Sequence, residues 1–231
     1  MKHAFVIGFA YLAISAPARA DALIDRIRAE AARAAPEDFS WTRTSRSEQK
    51  STSEREAASV VDRWDPSQPP ARRWTLVSVQ GRPPTADEIK KAEKSPARAV
   101  VPSYGRVVRY LSGNLQRMPD AGGKTIYRFS KLAPGSVKIG GADLSDSLTG
   151  ELTIDTSGPV PYISQVTGVS TKAVRMMLVA RINRLELTLR YRMMANGRVA
   201  PLESINLMTG SMMGQSGTQQ TVASFSDWRA R

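Results

Sequence analysis

Residues 184–208 read RLELTLRYRMMANGRVAPLESINLM, and this stretch decides the fold class. Leu185, Leu187, Leu189, Tyr191 and Met193 alternate with Arg184, Glu186, Thr188, Arg190 and Arg192, the period of a strand with one buried face. Alternation resumes after Asn196-Gly197, and Asn-Gly between alternating runs is the strongest short-range hairpin signal. A two-residue turn there makes positions whose numbers sum to 393 face each other. Leu185 then faces Met208, Tyr191 faces Leu202 and Met193 faces Ala200 on one side, with Arg190 opposite Glu203 and Thr188 opposite Ile205 on the other. Opposite charges directly across a ladder contribute about 0.2–1 kcal/mol, so this register is self-consistent. Upstream the apolar positions Met176, Leu178, Ala180 and Ile182 are even-numbered. A bulge or bend at Asn183–Arg184 must reset the faces, which curves the strand.

Working outward, Thr125 to Phe129, Ser147 to Asp155, Tyr162 to Val169, Val174 to Met194, Val199 to Met213 and Thr218 to Trp228 read as successive strands. Turns are expected at Thr156-Ser157-Gly158-Pro159 and Gly214-Gln215-Ser216-Gly217. Phe39 to Ser47, Ala57 to Trp64 and Arg73 to Val79 read as a three-stranded meander, interrupted by a polar run at 47–54 and by Asp65-Pro66-Ser67-Gln68-Pro69-Pro70. The first element is a helix: Asp21 can cap it, and Leu23, Ile24, Ile27, Ala31 and Ala34 form one stripe that Pro36 ends. Thr85 and Glu88 have the spacing of a capping box for a second helix with Ile89 and Ala92 as its apolar face. Tyr104 to Leu111, inside the ambiguous stretch 95–123, fits a helix or a strand, the helix somewhat better. The chain is thus expected to be mainly antiparallel β with a few helices.

The first twenty residues have the order of a secretory signal. Lys2 precedes an apolar run from Ala4 to Ser15, and Ala18-Arg19-Ala20 has the A-x-A form of a cleavage site. That run is too short for the ~20 residues of a membrane helix, and no later segment approaches that length. Residues 1–20 are expected to be removed on export to the periplasm, leaving 21–231 as one domain with no transmembrane span. With no Cys after the cleavage site, diacylation is excluded.

The full chain of 231 residues has one His, His3, and no Cys. Loss of the leader removes the His as well. Ser–His–Asp and Cys–His nucleophiles, disulfides and His- or Cys-ligated metals then have no residues to use. Ser47-x-x-Lys50 matches the S-x-x-K string of Ser–Lys hydrolases, but no S-D-N or K-T-G accompanies it. Asp143, Asp146, Glu151 and Asp155 lack the calcium-loop spacing and read as solvated positions. No catalytic residue, metal site or cofactor is therefore expected, and the protein reads as a non-enzyme.

Lys plus Arg number 33 against 21 Asp plus Glu. In an exported protein this positive balance suits anionic headgroups or acidic proteins rather than nucleic acid. Arginine makes up 24 of the 33 and carries a planar fork matched to phosphate and carboxylate. Seven of the nine methionines, Met176, Met177, Met193, Met194, Met208, Met212 and Met213, fall in the last third of the chain. Methionine adapts to apolar partners of varied shape, though it also fills gaps in curved cores. Trp41, Trp64, Trp74 and Trp228 read as core.

The segment Asp65-Pro66 followed by Arg73-Trp74-Thr75-Leu76-Val77-Ser78-Val79-Gln80-Gly81-Arg82-Pro83-Pro84-Thr85 resembles a motif of exported proteobacterial proteins of uncharacterised function. The layout of N-terminal helix, meander, helical excursion and long C-terminal strands resembles the lipoprotein-localisation carriers LolA and LolB. That resemblance implies a half-open, strongly curved β-barrel with an N-terminal helix and a helical insertion plugging its concave side. It also implies lipid, an acyl chain or an acylated protein as cargo. No residue of the carriers' functional arginine or hydrophobic hook is identified in this sequence. Ligand-lining residues are expected on one face of the central hairpin: Leu185, Leu187, Leu189, Tyr191, Met193, Leu202 and Met208. The other reading open at this point is a structural or interaction module of the envelope whose core is filled by its own side chains.

Overall fold

A computed structural model describes residues 21–51, 54–95, 98, 101–120, 122, 124–139, 141–177, 180–212 and 214–230. The leader at 1–20, Leu178 and Met213 lie outside the described residues, as do the side chains of Met177 and Met212.

Helix α1 (Ala22–Arg33) begins where Asp21 accepts the backbone N–H of Leu23 at 3.1 Å, and it buries Ile24, Ile27 and Ala31. The N-terminal meander follows as β1 (Phe39–Ser51), β2 (Arg55–Trp64) and β3 (Trp74–Val79). α2 (Ala86–Glu93) carries the expected capping box of Thr85 and Glu88 but buries no residue, and Ile89 is exposed. A 3₁₀ helix spans Tyr104–Leu111. The remaining strands are β4 (Asn114–Arg117), β5 (Lys124–Ser130), the small hairpin β6 (Lys138–Ile139) and β7 (Ala142–Asp143), β8 (Leu148–Asp155), β9 (Tyr162–Ser170), β10 (Val174–Met177), β11 (Ala180–Met193), β12 (Val199–Met212) and β13 (Gln215–Ala230).

One antiparallel sheet of 11 strands runs β3-β2-β1-β13-β12-β11-β9-β8-β5-β4, with β10 beside β11. Its two end strands do not pair with each other among the described residues, so the sheet is not closed into a barrel. The last strand sits between the first strand and β12, which joins the N-terminal meander to the C-terminal half.

The central hairpin is β11–β12. Leu185 pairs with Met208, Thr188 with Ile205 and Arg190 with Glu203, as expected, and Arg190 Nη1 lies 2.9 Å from the Glu203 carboxylate. Nearer the turn the register differs: Tyr191 pairs with Pro201 and Met193 with Val199. The turn explains this. Gly197 N–H donates to the Met194 carbonyl, Met194 N–H donates to the Arg198 carbonyl, and Gly197 has φ +75°. The loop is thus three residues, a tight turn plus a left-handed Gly, rather than two. A bulge that leaves Leu202 unpaired then restores the register from Glu203 onward. A second bulge leaves Asn183 unpaired, at the phase break seen in the sequence.

Three further expectations are corrected. Val174 to Met194 is two strands, because β10 folds back on β11, pairing Val174 with Ile182. The polar run at 47–54 is not all turn: β1 continues to Ser51, held by ladder hydrogen bonds to β2 and β13 on both edges. The expected turn at 214–217 is not one, since Met212 already pairs with Gln215 and Gln215 to Gly217 lie in β13.

Rows across the sheet show where the core sits. Tyr127, Leu152, Val166 and Leu189 are cross-strand neighbours, and the same row continues as Ser204, Ala223 and Ser45. The apolar half is covered by α1 and the 3₁₀ helix and forms the main core. A second, separate cluster under the N-terminal meander holds Phe39, Trp41, Trp64 and Phe225, with Trp74 and Trp228 against it. All four tryptophans therefore meet in one cluster, with Trp41 5.2–6.4 Å from Trp64, Trp74, Phe225 and Trp228.

Candidate functional site

The 3₁₀ helix builds one wall of the site. With three residues per turn, positions i and i+3 eclipse, so Tyr104, Val107 and Tyr110 form one buried row. Arg106 and Arg109 form the next row. Tyr104 pins the helix down: its hydroxyl accepts the Ile163 N–H at 2.8 Å, and its ring meets Tyr191 edge-on at 5.4 Å. Gly105 lets the helix approach α1, because a Cβ there would stand 2.9 and 3.0 Å from the carbonyl oxygens of Ala34 and Ala31.

Opposite this wall lies the sheet at the boundary between the two cores. The space between is a cavity of about 250 Å³. Leu189, Tyr191, Pro201, Ala223 and Phe225 supply its apolar floor, and Tyr110 closes one side. Arg43 from β1 and Arg106 and Arg109 from the 3₁₀ helix also line it.

The charges there are unbalanced. Asp62 accepts from Arg43 at 2.8 Å and from Arg98 at 2.6 Å, so one buried carboxylate serves two guanidinia. Both arginines also flank Trp74, with ring-centroid distances of 4.8 and 5.8 Å. Arg43 Nε is buried with no hydrogen-bond partner, as is Trp74 Nε1. Arg109 donates to the carbonyls of Arg106 and Ser136, at 3.0 and 3.3 Å, rather than to a carboxylate. Arg106 pairs with no carboxylate among the described residues. Burial, followed by the neighbouring Arg109 charge, pulls its pKa below the usual guanidinium value. Glu203, the acid in the lining, is already paired with Arg190. Burial raises the pKa of Tyr104, Tyr110 and Tyr191, so these phenols stay neutral and cancel none of the positive charge.

Of the seven residues expected to line a ligand, Leu189 and Tyr191 line this cavity. Leu185 and Leu187 are buried in the main core at 2% and 6% exposure. Met193 and Met208 pack half-buried against it, and Leu202 is the half-buried extra residue of the bulge. A larger concavity of about 780 Å³ crosses the sheet along the row Thr188, Thr167, Glu151, Arg128 and Gln116. It reaches Leu187, but its charges are matched, Arg128 to Glu151 at 3.1 Å and Arg184 to Glu186 at 2.7 Å. Among the described residues it holds no buried polar side-chain atom without a partner, whereas Arg43 of the smaller cavity has one, and the smaller cavity is the better candidate.

Arg43, Arg106, Arg109, Pro201 and Phe225 were not singled out by the sequence reading. The i, i+3 spacing of Arg106 and Arg109 beside Tyr104, Val107 and Tyr110 is the one local signal that could have shown them. Among the described residues there is no cluster of metal-ligating side chains and no helix long and apolar enough to cross a membrane. No protein-family model, no curated protein and no solved structure matches this chain.

Proposed function

We propose that this chain is a soluble, non-catalytic periplasmic binding protein that carries lipid, an acyl chain or an acylated protein. The export signal at 1–20 supports the compartment. The likeness in layout to the lipoprotein-localisation carriers supports a half-open, strongly curved barrel with helices on its concave side. The observation that carries the reading is the cavity of about 250 Å³ between the 3₁₀ helix and the sheet, with its apolar floor of Leu189, Tyr191, Pro201, Ala223 and Phe225. Ligand sites are concave, mainly apolar and furnished with a few polar groups, and this one has that composition.

A second reading, a structural module of the envelope, is favoured by the tight burial of Leu185 and Leu187, which fill a core instead of opening one. Native mass spectrometry on protein purified from the periplasm separates the two. A carrier retains a lipophilic adduct that detergent or organic extraction removes. Uniformly bare protein, together with no displacement of a fluorescent fatty acid, would sink the carrier reading.

A further inference from the structure

We propose that the cavity selects a single-chain anionic amphiphile. One carboxylate or phosphate sits among Arg106, Arg109 and Arg43, joined to one apolar segment lying on Leu189, Tyr191 and Phe225. This inference rests on the binding-protein reading above and names its ligand class.

The argument starts from charge. A guanidinium taken partly out of water needs a counter-charge or a full set of acceptors. At this cavity Asp62 is divided between Arg43 and Arg98, and among the described residues Arg109 donates to carbonyls and Arg106 meets no carboxylate. The buried Arg43 Nε still lacks an acceptor. An anion entering the cavity meets several forked donors at once, and such charge-assisted bonds are about twice as strong as neutral ones. Apart from Arg43, the sheet wall offers a second anion little: Glu203 is acidic and already paired with Arg190, Ser204 is a lone hydroxyl, and Leu189, Tyr191, Ala223 and Phe225 are apolar or aromatic. A ligand that satisfies both walls is charged at one end and apolar at the other.

Size limits the apolar end. The cavity of about 250 Å³ lies below the ~300–1,000 Å³ of ordinary small-molecule pockets. That is room for an anionic head and the first part of one chain. A cavity of this size suits one chain better than the two of a diacyl phospholipid.

Tryptophan fluorescence can report occupancy, because Arg43 stacks on Trp74 and Phe225 touches Trp41. The titrants are dodecanoate, dodecyl phosphate, dodecanol and inorganic phosphate, all below their aggregation limits. Dodecanoate and dodecyl phosphate should bind at least about tenfold more tightly than dodecanol, and added salt should weaken the charged ligands alone. Arg106 is exposed at the rim, so Arg106→Gln should leave the circular dichroism unchanged and weaken dodecyl phosphate by about 10- to 100-fold. Arg106→Lys should recover part of that loss. Equal binding of dodecanol, or no effect of Arg106→Gln, overturns the anion assignment while leaving the carrier reading intact. Inorganic phosphate binding as tightly as dodecyl phosphate overturns the apolar half, making the site one for a free anion. If no amphiphile of either kind binds, the carrier reading itself fails.

Discussion

Replacing Asp62 with Ala removes the carboxylate on which two buried guanidinia depend. The side chains of Arg43, Asp62 and Arg98 are 12%, 6% and 9% exposed, so solvent screens them little. Removing one partner of a buried pair costs about 3–5 kcal/mol, chiefly because the remaining charge is stranded. Here two charges are stranded on the same side of the sheet. Their contacts with Trp74, at 4.8 and 5.8 Å, remain and offset part of the loss. The expected destabilisation is therefore about 3–5 kcal/mol rather than twice that. For a chain of this size each kcal/mol moves Tm by about 2–4 °C, so the midpoint should fall by roughly 6–20 °C. Urea unfolding followed by far-ultraviolet circular dichroism measures it directly. A triple variant, Arg43→Met with Asp62→Leu and Arg98→Met, removes every charge of the group and should recover most of the loss. A loss below about 1 kcal/mol for Asp62→Ala, or a triple variant no better than the single, would refute the view that unmatched charge dominates here.

Other outcomes follow from single residues. Leu187→Ala should cost about 2–5 kcal/mol in urea unfolding, since Leu187 is 6% exposed within the main core. Tyr104→Phe leaves the Ile163 N–H without its acceptor and should cost about 1–3 kcal/mol, with the 3₁₀ helix losing hydrogen-exchange protection first. The Arg82 hydrogen bond, followed by the Thr85 backbone N–H, lowers the Glu88 pKa from 4.5 to about 2. A depressed carboxyl contributes stability above its unfolded pKa that is lost as pH falls through the folded one. The α2 cap should therefore weaken between about pH 4.5 and 2. Carbon-detected NMR titration should place the Glu88 midpoint near the lower value, and Arg82→Gln should move it up.

The hairpin at the centre of the chain shows how far the sequence carries the fold. Period two gave the buried face of β11, and Arg190 opposite Glu203 fixed the register over most of its length. The same reasoning misplaced Tyr191 by one partner. Asn-Gly is compatible both with a two-residue turn and with a three-residue loop ending in a left-handed Gly, and the compensating bulge at Leu202 has no local signature. The break between β10 and β11 was hidden for a related reason: residues 178–179 are Leu and Val, and no Gly, Pro or Asn marks a reversal. The strand character of Ser47 to Ser51 was hidden because it is held on one edge by β13, which is distant in sequence, as well as by the adjacent strand β2.

The candidate site was less legible because it is made by a boundary, and no segment contains a boundary. Along one row of the sheet the side chains change from Leu152, Val166 and Leu189 to Ser204, Ala223 and Ser45. α1 and the 3₁₀ helix cover the first group, and the tryptophan cluster fills the far end of the meander. Between them neither core supplies enough apolar volume to close the gap, so Tyr191 and Phe225 from different cores come to share a cavity. A gap of that kind would ordinarily be filled by water or larger side chains. Here its margin carries Arg43, which is largely buried, with Arg109 half-buried and Arg106 at the exposed rim. On the reading proposed above, unmatched cations beside an apolar gap lower the stability of the empty protein, and an anion with an apolar tail would recover that cost. Ligand binding should then raise Tm, and more for dodecyl phosphate than for dodecanol. An equal rise for the two would mean that the arginines stabilise the fold by some other contact and that the boundary is a packing seam.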